Sequence, residues 1–85
     1  MKEFIYTITD ENGIHARPAG LLVKKASEFE SEITIRLDEK SVDAKKIFSV
    51  MSLGAKNGDT VSVSVSGSDE ETAEKELSEF LKTNL

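Results

Sequence analysis

The chain has 85 residues, no cysteine and a net charge of −5. That length predicts one domain, residues 1–85, with a thin core that buries about 60–65% of the unfolded surface. The missing cysteines exclude a disulfide framework, thiolate catalysis and cysteine-ligated zinc or iron–sulfur sites. The acidic balance argues against non-specific nucleic-acid binding, which needs a basic surface to displace counterions.

The first periodic segment, Phe4 to Thr9, places Phe4, Tyr6 and Ile8 on one face and reads as a half-buried strand. Asn12-Gly13 marks a turn. Residues 16–27 read as a helix, because Ala19, Leu22, Val23 and Ala26 recur at i, i+3, i+4 and i+7, with Leu21 off that stripe. Pro18 suits the first helical turn, where its missing N–H costs nothing. Ile33, Ile35 and Leu37 alternate as a second strand, and Ser41-Val42-Asp43 returns through Asp38-Glu39 as a third.

Residues 46–53 fit a short helix ended by Gly54. Its apolar residues Ile47, Phe48, Val50, Met51 and Leu53 surround most of the helix, so some should be exposed as a partner surface. After the Asn57-Gly58 turn, residues 60–66 alternate valine with serine or threonine, valines inward. Ser68 and Glu71 are spaced as a capping box for a last helix whose buried stripe is Ala73, Leu77, Phe80 and Leu81. The order βαββαβα, with period-2 strands and helices on one face, predicts an α+β open-faced sandwich. The longest apolar run, Leu21-Leu22-Val23, is far too short to span a bilayer, and the start does not read as a signal peptide. A cytoplasmic protein without membrane insertion is expected.

Charge is unevenly placed. Residues 12–27 carry Arg17, Lys24 and Lys25, and residues 44–58 carry Lys45, Lys46 and Lys56; neither window holds an acid. Two such windows in an acidic chain make one basic face if the fold joins them.

One histidine is present, His15, where the Gly13 turn becomes a helix, and Arg17 follows it by two residues. A helix N-terminus offers orphan N–H groups and partial positive charge to an anion. Arg17 adds a guanidinium fork suited to phosphate oxygens. An imidazole ring can form a covalent intermediate, and a phosphoryl group on it would meet these donors. One histidine and scattered acids give no metal site, and no cofactor-binding fingerprint is present.

The segment Gly13-Ile14-His15-Ala16-Arg17-Pro18-Ala19 resembles the phosphohistidine signature of the HPr family, the phosphocarriers of the bacterial phosphoenolpyruvate:sugar phosphotransferase system. Ile47-Phe48-Ser49-Val50-Met51-Ser52-Leu53-Gly54 resembles the family's second signature, and the similarity runs the length of the chain. The resemblance implies a four-stranded antiparallel sheet covered on one face by three helices. It implies that His15 accepts a phosphoryl group at Nδ1 from Enzyme I and passes it to sugar-specific IIA proteins. Ala16 and Arg17 would bind the phosphoryl oxygens, and Gly20, Lys24, Lys46, Ile47, Phe48 and Met51 would form the partner surface. The implied protein is a monomeric carrier and not an enzyme, with no cofactor and no metal. The alternative from another class is an HPr-like regulatory binding module that controls a partner in a specialised pathway. Lys46 stands where many relatives carry a regulatory serine, so phosphorylation at that position is excluded.

Overall fold

The computed structural model describes all 85 residues. Seven elements follow in the expected order: β1 (Lys2–Thr7), α1 (Ala16–Ala26), β2 (Glu32–Leu37), β3 (Lys40–Asp43), α2 (Ile47–Ser52), β4 (Thr60–Ser66) and α3 (Glu70–Asn84). The four strands form one antiparallel sheet in the order β1-β4-β2-β3.

Register explains which side chains go inward. Phe4, Val63, Ile35 and Val42 lie opposite one another across the sheet, and the adjacent row is Ile5, Ser62, Arg36 and Ser41. Successive strand residues point to opposite faces, so the first row meets the helices and the second meets water. Val61, Val63 and Val65 are buried and their serine neighbours are not, as the alternation requires. Leu22 and Ala19 from α1, Leu77 and Leu81 from α3, and Val50 from α2 complete the core. Each fully buried large aliphatic side chain contributes roughly 1.5–3 kcal/mol by leaving water.

Several boundaries differ from the sequence reading. The first strand spans Lys2–Thr7 and not Phe4–Thr9, because its pairing with β4 ends at Thr7 opposite Thr60. Ile8 still continues the inward alternation and is more buried than Phe4 or Tyr6. Phe80 and Val23 are only half-buried at the rim of the core.

The capping box at Ser68 and Glu71 does not form. Asp69 is the N-cap of α3, and its carboxylate turns away from the helix. It accepts the N–H groups of Glu30 (2.8 Å) and Ser31 (3.0 Å) and the Ser31 hydroxyl. Ser31 is buried, so its hydroxyl must find an acceptor inside the protein, and Asp69 is that acceptor. Ser68 Oγ donates instead to Glu30, and Glu70 reaches back to the Gly67 N–H. Ile14, Phe29, Ala44, Ala55 and Leu85, all outside the periodic segments, are also buried.

Candidate functional site

The approach to His15 is held on both sides. Gly13 N–H bonds the Asp10 carbonyl (3.0 Å) in a turn, with Gly13 at φ +66°. A Cβ there would fall on the Ala55 carbonyl oxygen and lie 2.7 Å from Lys56 Cα. That close approach is what the glycine permits. Buried Ile14 then donates its N–H to the same Ala55 oxygen (3.0 Å).

His15 follows as the N-cap of α1 in extended conformation, and its carbonyl accepts the Ala19 N–H (2.9 Å). Its ring does not cap the helix. The N–H groups of Ala16 and Arg17 meet no protein acceptor, and Pro18 has none to offer. No acid lies in the first turn. The half-exposed ring therefore sits beside two free N–H donors, the positive end of a helix and the exposed Arg17 guanidinium. These groups surround a cleft of about 220 Å³ whose far wall is Thr83 and Asn84. The arrangement suits a small anion bonded to the ring. A larger depression over β2 and β3, about 380 Å³, shares no lining residue with it and contains no nucleophilic ring.

Beside the cleft, α1 packs on α2. Ile47 Cδ1 stands 3.6 Å from where a side chain on Gly20 would begin, so the glycine lets the two helices approach. Arg17, Gly20, Leu21 and Lys24 recur at i, i+3, i+4 and i+7 along α1; Gly20 meets α2, and Arg17, Leu21 and Lys24 are exposed beside it. Leu21 (40% exposed), Ile47 (36%), Phe48 (84%) and Met51 (37%) form an uncovered apolar patch. Arg17, Lys24 and Lys46 have no carboxylate within ion-pair distance. The two acid-free windows thus meet as one face.

Not every cation of those windows is free. Lys25 Nζ lies 2.7 Å from Glu76 and 3.5 Å from Glu28, and the bond to Glu76 holds its ammonium above the usual lysine pKa. Lys45 Nζ donates to the Phe29 carbonyl beyond the end of α1 (2.7 Å). Both serve the fold.

The family model described as "PTS HPr component phosphorylation site" matches residues 2–83. The chain belongs to the HPr phosphocarrier family of the phosphotransferase system. It is 45% identical to the phosphocarrier protein HPr of Buchnera aphidicola over 76 residues, 89% of each chain. Among solved structures, HPr-C-His from Thermoanaerobacter tengcongensis superimposes with a TM-score of 0.94 at 44% identity, covering 99% of this chain and 94% of that one. An HPr dimer from the same organism matches with a TM-score of 0.78 at 44% identity, covering 98% and 95%. The HPr fold is thus the open-faced sandwich described above. No helix is long and apolar enough to cross a membrane.

The family resemblance implies His15, Ala16 and Arg17 as the phosphoryl site and Gly20, Lys24, Lys46, Ile47, Phe48 and Met51 as a partner surface; the structure sets His15 and Arg17 in one cleft and packs α1 on α2 beside it. Sequence pattern alone does not point to a further set. It did not find Asp10, Thr83 or Asn84, which the fold brings to the ring from a turn and from the last residues of α3. Nothing in local periodicity marks them: Asp10 sits in a turn, and Thr83 and Asn84 join the cleft through the tertiary fold alone.

Proposed function

We propose that His15 is the phosphoryl acceptor of this HPr-family carrier, receiving the group at Nδ1 from Enzyme I and delivering it to sugar-specific IIA proteins. The observation that supports this most is the uncapped start of α1, where the His15 ring and Arg17 line one cleft and the Ala16 and Arg17 N–H groups are unpaired. In this reading the phosphoryl oxygens of an N–P bond at Nδ1 are bound by the Ala16 and Arg17 N–H groups, which have no partner within the protein. Those donors and the Arg17 guanidinium bind developing negative charge without reorganising. No other nucleophile acts, so both half-reactions belong to partner proteins and the chain is their substrate, not an enzyme.

Transfer in both directions requires brief encounters. A small apolar patch with a rim of unpaired cations suits acidic partners that arrive by electrostatic steering and leave quickly. The patch of Ile47, Phe48 and Met51, bordered by Gly20, Lys24 and Lys46, is that docking surface, and it must stay open. The working form is therefore a monomer in the cytoplasm. Lys46 keeps a fixed positive charge there, where a phosphorylated serine would repel the same partners.

Incubation with phosphoenolpyruvate and Enzyme I, followed by intact-mass measurement, tests the assignment. One phosphoryl adduct is expected, stable in alkali and lost in acid, absent from His15→Ala and formed more slowly in Arg17→Ala. Phosphorylation of His15→Ala at the wild-type level would refute it.

A further inference from the structure

The cleft holds one group that the carrier reading does not use. Asp10 Oδ1 lies 3.8 Å from His15 Nε2, and His15 is the only cation-forming group within ion-pair distance of that carboxylate. Asp10 is not a loose surface acid. Its N–H bonds an oxygen of Leu85 (2.8 Å), its carbonyl accepts the Gly13 N–H (3.0 Å), and its carboxylate accepts the Asn12 N–H (2.8 Å). Two of these bonds fix its backbone and the third holds the carboxylate oxygen that faces Nε2, at ion-pair and not hydrogen-bond distance. Arg17, the other charged group lining the cleft, is not paired with it.

We infer that Asp10 is a positioning residue that holds the His15 proton on Nε2 and so leaves the lone pair on Nδ1. This inference rests on His15 being the acceptor. A neutral imidazole carries its proton on one nitrogen, and the neighbouring group decides which. A carboxylate facing Nε2 attracts an N–H there and repels a lone pair. The neutral ring then carries its free lone pair on Nδ1.

The transfer step needs no proton movement in that tautomer. The Nδ1 lone pair attacks phosphorus, the N–P bond forms, and the P–N bond of the donor's phosphohistidine breaks with its electron pair returning to the donor ring. His15 keeps its proton on Nε2 and gains a positive charge, which the Asp10 carboxylate faces. Onward transfer reverses this: a nucleophile of the acceptor protein bonds to phosphorus, the His15 N–P bond breaks with its electron pair returning to Nδ1, and the neutral ring with Nε2–H is restored. The carboxylate thus opposes charge on the ring while the free N–H groups oppose charge on the phosphoryl oxygens.

An acceptor for the Asn12 turn can be separated from a charge beside the ring. Asp10→Asn keeps a side-chain oxygen for the Asn12 N–H and removes the charge; Asp10→Ala removes both. Long-range proton–nitrogen NMR of the His15 ring, at about pH 8.5 and so about two units above the usual histidine range, reads the tautomer directly. The wild type should hold the proton on Nε2, and both variants should shift population toward Nδ1–H while keeping the wild-type fold by amide spectra. Phosphorylation by Enzyme I should slow by about two- to fivefold in Asp10→Asn, the size a half-exposed ion pair supports. Equal tautomer populations in wild type and Asp10→Asn would overturn the positioning role alone. A tautomer shift with an unchanged phosphorylation rate would also overturn it. Failure of the wild type to accept a phosphoryl group on His15 would overturn the carrier reading and the role together.

Discussion

Alanine at Gly13 should cost far more than alanine at Gly54, although both glycines have nearly the same backbone conformation. Their φ angles are +66° and +68°. Each replacement therefore carries the left-handed penalty of a residue with a Cβ, roughly 1–2 kcal/mol. At Gly54 a new Cβ meets no atom within 4 Å, so that penalty is the whole cost. At Gly13 it would also collide with the backbone of Ala55 and Lys56, which cannot rotate aside as a side-chain tip can. Overpacking of this kind adds about 1–3 kcal/mol, for a total of about 2–5 kcal/mol. Urea denaturation followed by far-ultraviolet circular dichroism measures both variants. The collision also pushes away the oxygen that anchors the Ile14 N–H, one residue before His15. Gly13→Ala should thus slow phosphorylation under conditions where it is fully folded, and Gly54→Ala should do so less. Equal loss of stability in the two variants would refute the steric argument.

Phe48→Ala should change unfolding free energy by no more than about 0.5 kcal/mol, since the ring is 84% exposed, yet weaken calorimetric binding to Enzyme I by about 1 kcal/mol or more. Replacing Lys24 and Lys46 together with glutamate should lower the association rate in stopped-flow measurements more than it raises dissociation, and the effect should fade with salt. Lys46→Ser should raise the melting temperature, because α2 has no side-chain cap and serine supplies one worth about 0.5–1 kcal/mol, and removes a cation from a helix start. The Ser31 hydroxyl, then the Glu30 N–H, hold the Asp69 carboxyl below the usual carboxylate range. Its stabilisation is therefore present above the unfolded value, about 3.9, and is lost as pH falls through the lower folded value. Asp69→Asn should flatten that part of an acid unfolding titration monitored by circular dichroism.

Strands and helices were legible wherever one periodicity ran unbroken. The valines of β4 and the Ala19–Ala26 stripe of α1 each alternate against polar neighbours, and their burial follows from geometry alone. The start of α3 was not legible, because the requirement that decided it lies elsewhere in the chain. A capping box looks complete in residues 68–71, but buried Ser31 needed the Asp69 carboxylate more than the helix did. The same holds at the site. His15, Arg17 and the turn before them are contiguous, so their chemistry shows in one short segment. The α1–α2 face needed only the two charge-sorted windows to meet. Asp10 lies in the turn before His15 but carries no periodic signal, and Thr83 and Asn84 line the cleft only because the fold returns the end of α3 to it.

The pairing of β1 with β4 has a consequence for the order in which the molecule can come into being. Lys2 to Thr7 find their partners only at Thr60 to Val65, and Asp10 is tied to Leu85. Non-local pairings of this kind must await the far segment and pay loop-closure entropy before they are rewarded. On the ribosome, the residues of the acceptor segment emerge early but remain without their sheet, their cleft wall and the pinned carboxylate until residues 60–85 have been made. A half-synthesised chain therefore carries residues 13–19 without the β4 pairing and the Leu85 bonds that frame them in the finished fold.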